Sequence, residues 1–294
     1  MKTIRSVSEL RDVLREHRRA GHQIGLVPTM GAFHEGHLSL MRRAREQSDV
    51  VVVSLFVNPA QFNEATDLDA YPHDEARDAA LADELGVDFL FAPPAGEVYP
   101  PGFATKVVIS GITETLEGEH RGRAHFDGVT TVVAKLFNMV GPDVAYFGQK
   151  DAQQARIVKQ LVRDLDMPLR IEVCETVRER DGLAMSSRNV LLSAEERHRA
   201  AALNRALEAI DRGYASGSRD PAELIRQARA ELEAAGIEPD YLELVSPATL
   251  APLAEVNGEA LALVAARVGK TRLIDNHRIG SDAGPRAPAT QHRH

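Results

Sequence analysis

The sequence predicts an α/β chain: a doubly wound parallel sheet followed by a smaller α+β C-terminal domain. Two observations carry this reading. Short, β-branched apolar runs alternate with amphipathic helical patterns through the N-terminal part of the chain, as the units of a parallel sheet do. Near Glu179-Arg180-Asp181-Gly182 that alternation gives way to two Ala-rich helices and then three strand-like stretches. The expected domains are therefore 1–176 and 177–280. Residues 281–294 form a Pro/Gly/His-rich tail with no apolar period, expected to be disordered.

Taken in order, Ser8 is read as the cap of a helix running through His17–Arg19, with Gly21 ending it. Gln23–Val27 is the next strand, and the spacing of Leu38, Leu40, Met41 and Ala44 predicts a helix over Leu38–Glu46. Val50–Val57 is the longest apolar run, broken only by Ser54. It is too short to cross a bilayer and reads as a buried parallel strand. Helices at Glu75–Leu85, Val129–Met139 and Ala152–Leu165 alternate with strands at Val87–Phe91, Val144–Phe147 and Leu169–Val173. In the second domain Ser193 reads as the cap of a helix over Ala194–Ile210, in a capping box. A Ser216-Gly217-Ser218 loop, a helix at Pro221–Ala235 and strands at Tyr241–Val245, Ala260–Ala265 and Thr271–Ile274 follow.

Bulk properties narrow the function. At 294 residues and 44% hydrophobic, the chain can bury a real core. A formal charge of −8 with no long basic stretch argues against a nucleic-acid partner. The single cysteine, Cys174, permits no intrachain disulfide, which fits a reducing cytoplasm; it reads as a core residue rather than a reactive thiol. No apolar segment follows Met1-Lys2-Thr3-Ile4-Arg5, so the reading includes no targeting signal and no membrane.

Three motifs carry chemistry. In Pro28-Thr29-Met30-Gly31-Ala32-Phe33-His34-Glu35-Gly36-His37, a strand runs in and a helix runs out, which puts both imidazoles at a helix N-terminus. Unpaired backbone N–H groups there favour an anion, ideally a phosphate. The plainer alternative is a pair of capping histidines. A zinc site lacks the i, i+4 spacing and a third ligand. Phe147-Gly148-Gln149-Lys150-Asp151 also follows a strand and opens a helix. Gly148 permits close approach, Lys150 offers a point charge, and Asp151 can accept from a ribose hydroxyl. With only six lysines in the chain, one at such a turn is noteworthy, although a solvated turn lysine is the alternative. In Asp181-Gly182-Leu183-Ala184-Met185-Ser186-Ser187-Arg188-Asn189, two hydroxyls and an arginine after a glycine loop suit an oxyanion clamp, or else a simple loop cap.

Together the motifs describe a nucleotide-triphosphate enzyme. The His34–His37 segment resembles the HIGH signature of nucleotidylyltransferases and Met185–Arg188 their KMSKS-type loop. The full set, with Arg272-Leu273-Ile274-Asp275-Asn276, is closely similar to the pantothenate synthetase family, over nearly the whole chain to Asn276. That resemblance implies a Rossmann-like N-terminal domain, a C-terminal lid and a homodimer. It implies condensation of (R)-pantoate with β-alanine, using ATP and Mg²⁺, through a pantoyl adenylate, with AMP and pyrophosphate released. Carried over by position, Met30, Gly31, Ala32, Phe33, His34, Glu35, Gly36 and His37 form the first ATP segment, with His37 as proton donor. Gly148, Gln149, Lys150 and Asp151 form the second, and Met185, Ser186, Ser187 and Arg188 the third. Val177 gives adenine a backbone contact, and Gln61 and Gln154 bind pantoate. His34, His37, Lys150 and Arg188 are the catalytic candidates.

Some positions depart from the family. Glu119-His120-Arg121-Gly122-Arg123-Ala124-His125-Phe126 lacks a proline and is one residue longer, so Arg121 and Arg123 both stand for one arginine. Gln149 replaces a common glutamate. Asp78 or a neighbour is the candidate acidic contact to Mg²⁺, with no ligand assigned, and the base for the β-alanine amine is likewise unassigned. Competing readings are another nucleotidylyltransferase, lacking the Gln61 and Gln154 positions, and a non-catalytic nucleotide-binding regulator. The lid is expected to close on ATP, with Gly182 taking up the backbone change.

Overall fold

A strand flanked on both faces must be apolar at every position, and Val50-Val51-Val52-Val53 meets that demand. In the computed structural model, which describes residues 1–62 and 72–280, this run forms the middle of a six-stranded parallel sheet. The strands are β1 (Lys2–Ile4), β2 (Ile24–Thr29), β3 (Val50–Leu55), β4 (Phe89–Phe91), β5 (Val144–Gly148) and β6 (Arg170–Cys174), in the order β1-β4-β3-β2-β5-β6. Helices α1 (Val7–Arg19), α2 (Glu35–Gln47), α3 (Glu75–Glu84), α4 (Ala95–Val98), α5 (Glu117–Arg121), α6 (Arg123–Val140) and α7 (Ala152–Asp164) complete this unit, Met1–Glu175.

The period-2 alternation of each strand divides the core in two. Val50 and Val52 join Leu10 and Leu14 of α1, Val133 and Phe137 of α6, and Ile157 and Leu161 of α7 on one face. Val51 and Val53 join Leu40, Met41 and Ala44 of α2 and Ala82 of α3 on the other. Each such valine or leucine contributes about 1.5–3 kcal/mol by leaving water. The doubly wound α/β reading is therefore the observed fold. From β2 the order runs to β3 and β4 on one side and to β5 and β6 on the other, so the connections diverge between β2 and β5. In open α/β sheets, ligands bind beyond the strand ends at such a switch point. One contact between these two strands' layers is unusual. A Cβ on Gly25 would stand 2.5 Å from Ser48 Oγ and 3.1 Å from the Tyr146 ring, and Ser48 and Tyr146 share a 3.1 Å hydrogen bond.

The second unit holds helices α8 (Ala194–Ala200), α9 (Ala202–Ala215) and α10 (Pro221–Ala234). Its antiparallel sheet is β7 (Pro239–Val245), β8 (Ala260–Val268) and β9 (Thr271–Ile279), in that order. Leu203, Leu207 and Ile210 of α9 and Leu224 and Leu232 of α10 pack on Leu242, Ala262, Val264 and Leu273 of the sheet. Among the described residues no helix is long and apolar enough to cross a membrane.

Several local expectations change. Helix α1 is capped by Ser6, whose Oγ accepts the Glu9 N–H at 3.3 Å, so Ser8 lies within the first turn. The helix expected over Ala194–Ile210 is two helices, broken at Ala201, where ψ is −17°. Ser193 and Glu196 do form the reciprocal capping box. Helix α6 starts at Arg123, ahead of the expected Val129, behind Gly122 at φ 78°. Strand β1 and the short helices α4 and α5 were not expected, because three to five residues show no period. Cys174 is half-buried rather than core, packed against the α2 side of the sheet; burial and then Glu172 push its thiol up to about 11, which suppresses the reactive thiolate. The tail at 281–294 lies outside the described residues.

Candidate active site

Strand β2 ends at Thr29, whose Oγ1 donates to Ser54 O of β3 at 2.6 Å. The chain then turns through two left-handed residues, Gly31 (φ 92°) and Ala32 (φ 53°). His34 is the N-cap of α2, and its Nδ1 accepts the Gly36 N–H at 3.1 Å. His37 Nδ1 accepts the His34 N–H at 3.4 Å, closing a capping box made of two imidazoles. A Cβ on Gly36 would lie 2.9 Å from the His34 ring, so glycine there makes room for the cap. Two of the amides expected to await a phosphate, those of His34 and Gly36, are used by the two rings themselves. With Nδ1 accepting, the neutral His37 ring carries its proton on Nε2 and presents an N–H donor. Burial, then the charge of neighbouring His34, push the His37 pKa down to about 3; Asp151 opposes and Lys150 adds to the fall.

The preceding amides are also engaged. Asp78 of α3, 1% exposed, accepts the Ala32 N–H at 2.7 Å on Oδ2 and the Phe33 N–H at 2.8 Å on Oδ1. Phe33 is itself a core residue, 1% exposed. The Asp78 oxygens thus serve backbone amides. Among the described residues no group of three or more His, Cys, Asp or Glu side chains could hold a metal ion.

Strand β5 lies beside β2, and its carboxyl end opens into the turn Gln149–Asp151. Lys150 is largely buried, with Nζ 3.9 Å from Asp151 Oδ1, and both groups bear electrostatically on His37. The two turns therefore converge at the switch point. On the other side of β2, a turn over Pro59–Gln61 follows β3. Asn58, 1% exposed, organises it: Oδ1 accepts Tyr99 Oη–H (2.8 Å) and the Ala60 N–H (3.3 Å), while Nδ2 donates to Gly128 O (3.1 Å) and Gln61 Oε1 (3.2 Å). Burial pushes the Tyr99 hydroxyl up to about 12, keeping it a donor. A Cβ on Gly128 would meet Ala60 O at 2.2 Å, so the turn lies directly on α6. Gln61 Nε2 points at Met30 Sδ, which sets this glutamine against the first segment. Gln154 is half-buried on the first turn of α7.

The third segment belongs to the second unit. Val177 O accepts the Met185 N–H (2.9 Å), and Glu179 and Gly182 close a turn. Arg178 pairs with Asp275 through both nitrogens (2.7 and 2.9 Å) and donates to Gly182 O (2.9 Å). Ser186 Oγ accepts the Arg188 N–H (3.2 Å) as the cap of the turn Ser187–Leu191. Ser186 thus has the capping role that was the alternative for this run. Gly182 has a φ of 90°, and a Cβ there would stand 2.4 Å from Asn204 Nδ2.

The family model for pantoate–β-alanine ligase matches residues 2–278. A pantothenate synthetase of Cereibacter sphaeroides is 54% identical over 274 residues, covering 93% of this chain and 98% of that one. A solved pantothenate synthetase from Thermus thermophilus is 47% identical, with TM-score 0.89 over 94% of this chain and 99% of that one. The chain belongs to the pantoate–β-alanine ligase family. A third family structure, from Francisella tularensis and complexed with beta-gamma ATP and beta-alanine, is 33% identical with TM-score 0.78, covering 94% and 97% of the two chains.

In this ligase the two candidate arginines differ in environment. Arg121 is partly buried and donates from Nε to Glu117 Oε2 at 2.8 Å, Glu117 being itself buried. Arg123 is 74% exposed and pairs with Glu114. The sequence reading missed Gln153, 4% exposed, which accepts the Glu117 N–H (3.0 Å) and donates to Ile112 O and Thr115 O (both 2.8 Å). It missed Asn58 as well. A polar residue at a strand end or on the buried side of a helix is the only sequence signal either carries.

Proposed function

We propose that this ligase condenses (R)-pantoate with β-alanine in two steps at the β2/β5 switch point, with ATP as the activating substrate. The observation that carries the reading is the convergence of neutral His37 and cationic Lys150 from the turns after adjacent strands, with Gln61 reaching Met30 from the third. In the first step a pantoate carboxylate oxygen, ionised at neutral pH, attacks the α-phosphorus. The new P–O bond forms as the α–β bridging bond breaks, and pyrophosphate leaves. No base is needed. Positioning and donors toward the developing charge are needed, and His34, His37 and Lys150 supply them. Gln61 and Gln154 hold pantoate, Val177 contacts adenine, and Ser186, Ser187 and Arg188 are further donors to the triphosphate. In the second step the β-alanine nitrogen attacks the adenylate carbonyl. The C–N bond forms, the C–O bond to AMP breaks, and the amine proton passes to an acceptor with no assigned residue.

Mg²⁺, when bound, neutralises triphosphate charge, and such ions keep several waters and phosphate oxygens rather than an all-protein cage. Among the described residues no such cage is formed. The reading also includes a homodimer, a cytoplasmic location and a second unit acting as a lid. The decisive experiment is pantoate-dependent exchange of labelled pyrophosphate into ATP without β-alanine. Exchange is expected; exchange only when β-alanine is present rules out the adenylate.

A further inference from the structure

Two consecutive residues in the left-handed region, Gly31 and Ala32, turn the amides of Ala32 and Phe33 toward one point. Such a concavity of N–H groups is a ready anion site. Here the anion is part of the chain. Asp78 fills it with one oxygen per amide, at 2.7 and 2.8 Å, from a side chain 1% exposed. The fit is close: a Cβ on Gly31 would lie 3.0 Å from Asp78 Oδ2. Ala32 holds a backbone angle that L-residues with a Cβ adopt reluctantly, so this turn requires support from outside itself. The support arrives one residue before His34 and four before His37, whose Nε2–H directions follow from where the turn delivers them into α2.

We propose that Asp78 is a positioning residue for the first step, an internal anion that holds the Gly31–Phe33 turn and thereby aims His34 and His37. The proposal rests on the adenylation reading above. Its consequence is that the amides of Ala32 and Phe33 belong to the scaffold and do not bind phosphate.

Asp78→Asn tests it. The amide keeps the size but offers one acceptor oxygen, leaving one N–H facing an NH₂ group. In pyrophosphate exchange, kcat is expected to fall about 10- to 100-fold, up to the scale of a ~1 Å misplacement of a positioned group. The KM for pantoate and the Mg²⁺ concentration giving half-maximal rate should stay within about twofold. Adding Ala32→Gly, which relieves the backbone angle, should restore part of kcat. An unchanged kcat overturns the proposal. So does a large shift in the Mg²⁺ requirement, which would make Asp78 a metal ligand, or a loss spread over kcat and KM alike without rescue. Hydrogen exchange on the wild-type chain needs no variant. The Ala32 and Phe33 amides should be protected before ATP is added and no more so afterwards, and protection gained only with ATP overturns the proposal. That measurement stands even if wild-type exchange activity is absent, which would instead sink the adenylation reading.

Discussion

At neutral pH His37 is an uncharged ring, because burial and its neighbour His34 push its pKa down to about 3 from 6.5. A group that resists protonation in the fold but accepts it in the unfolded chain stabilises the fold fully above 6.5. That contribution declines as pH falls from 6.5 toward 3. It also makes His37 a hydrogen-bond donor through Nε2, not an imidazolium acid. The ring resonances of His37 should therefore keep the neutral, Nε2-protonated signature in an NMR titration down to pH ~5, two units above that pKa. A midpoint near 6.5 would return His37 to the role of proton donor. The residues legible beforehand were those whose chemistry sits in one contiguous string: His34, His37, Lys150, Ser186. Those that were not legible act across the chain. Asp78 meets its amides 45 and 46 residues away, and Asn58 meets Gly128 at 70. No local pattern encodes such a pairing.

Among the elements, the loop that carries Ser186–Arg188 is stapled to its own sheet. Arg178 reaches Asp275 of β9, and Arg197 of α8 reaches Glu179 and Asp181. Asp275 is 1% exposed, so Asp275→Ala leaves a guanidinium with no bidentate partner in a mostly buried place. A loss of about 3–5 kcal/mol is expected, read as a lowered denaturant midpoint; a loss under about 1 kcal/mol would class the pair with surface bridges. The motif Arg272–Asn276, noted in the sequence only as part of a resemblance, thus acquires a mechanical task. Gly182, where a hinge was expected, takes a φ of 90° with Asn204 packed beside it, a position that a residue with a Cβ could not occupy without a shift. Long apolar strands such as β3 were legible because burial on both faces leaves one composition. Elements of three to five residues such as β1, α4 and α5 are set by tertiary contacts that periodicity does not record.

Over the whole molecule, separate sets of buried side chains serve the two units: two clusters flank the parallel sheet and a third lies under β7–β9. Leu207 of α9 is fully buried in the third. Leu207→Ala should cost about 2–5 kcal/mol, and hydrogen exchange should quicken across residues 176–280 while the amides of β2, β3 and β5 keep their protection. Equal quickening in both regions would mean that one cooperative core spans the chain. The change of pattern near Glu179 was legible because an alternating α/β rhythm and an Ala-rich helical one differ over tens of residues. The reach of Gln61 to Met30 was not, since it depends on which strands become neighbours.

Gly25 has a consequence for tolerance. A parallel strand repeats its inside–outside pattern every two residues, so a slip of two leaves the hydrophobic layers satisfied. It would nevertheless carry Lys150 about 6.6 Å along β5 relative to His37, far beyond what a shared substrate could bridge. Burial is blind to that error. The Tyr146 ring is not: it lies over the one position in β2 without a side chain and meets Ser48 there. Shifted by two, it would meet a side chain of the same face, such as Val27, instead. The missing methyl acts as a keyway, indexing the two halves of the site to each other.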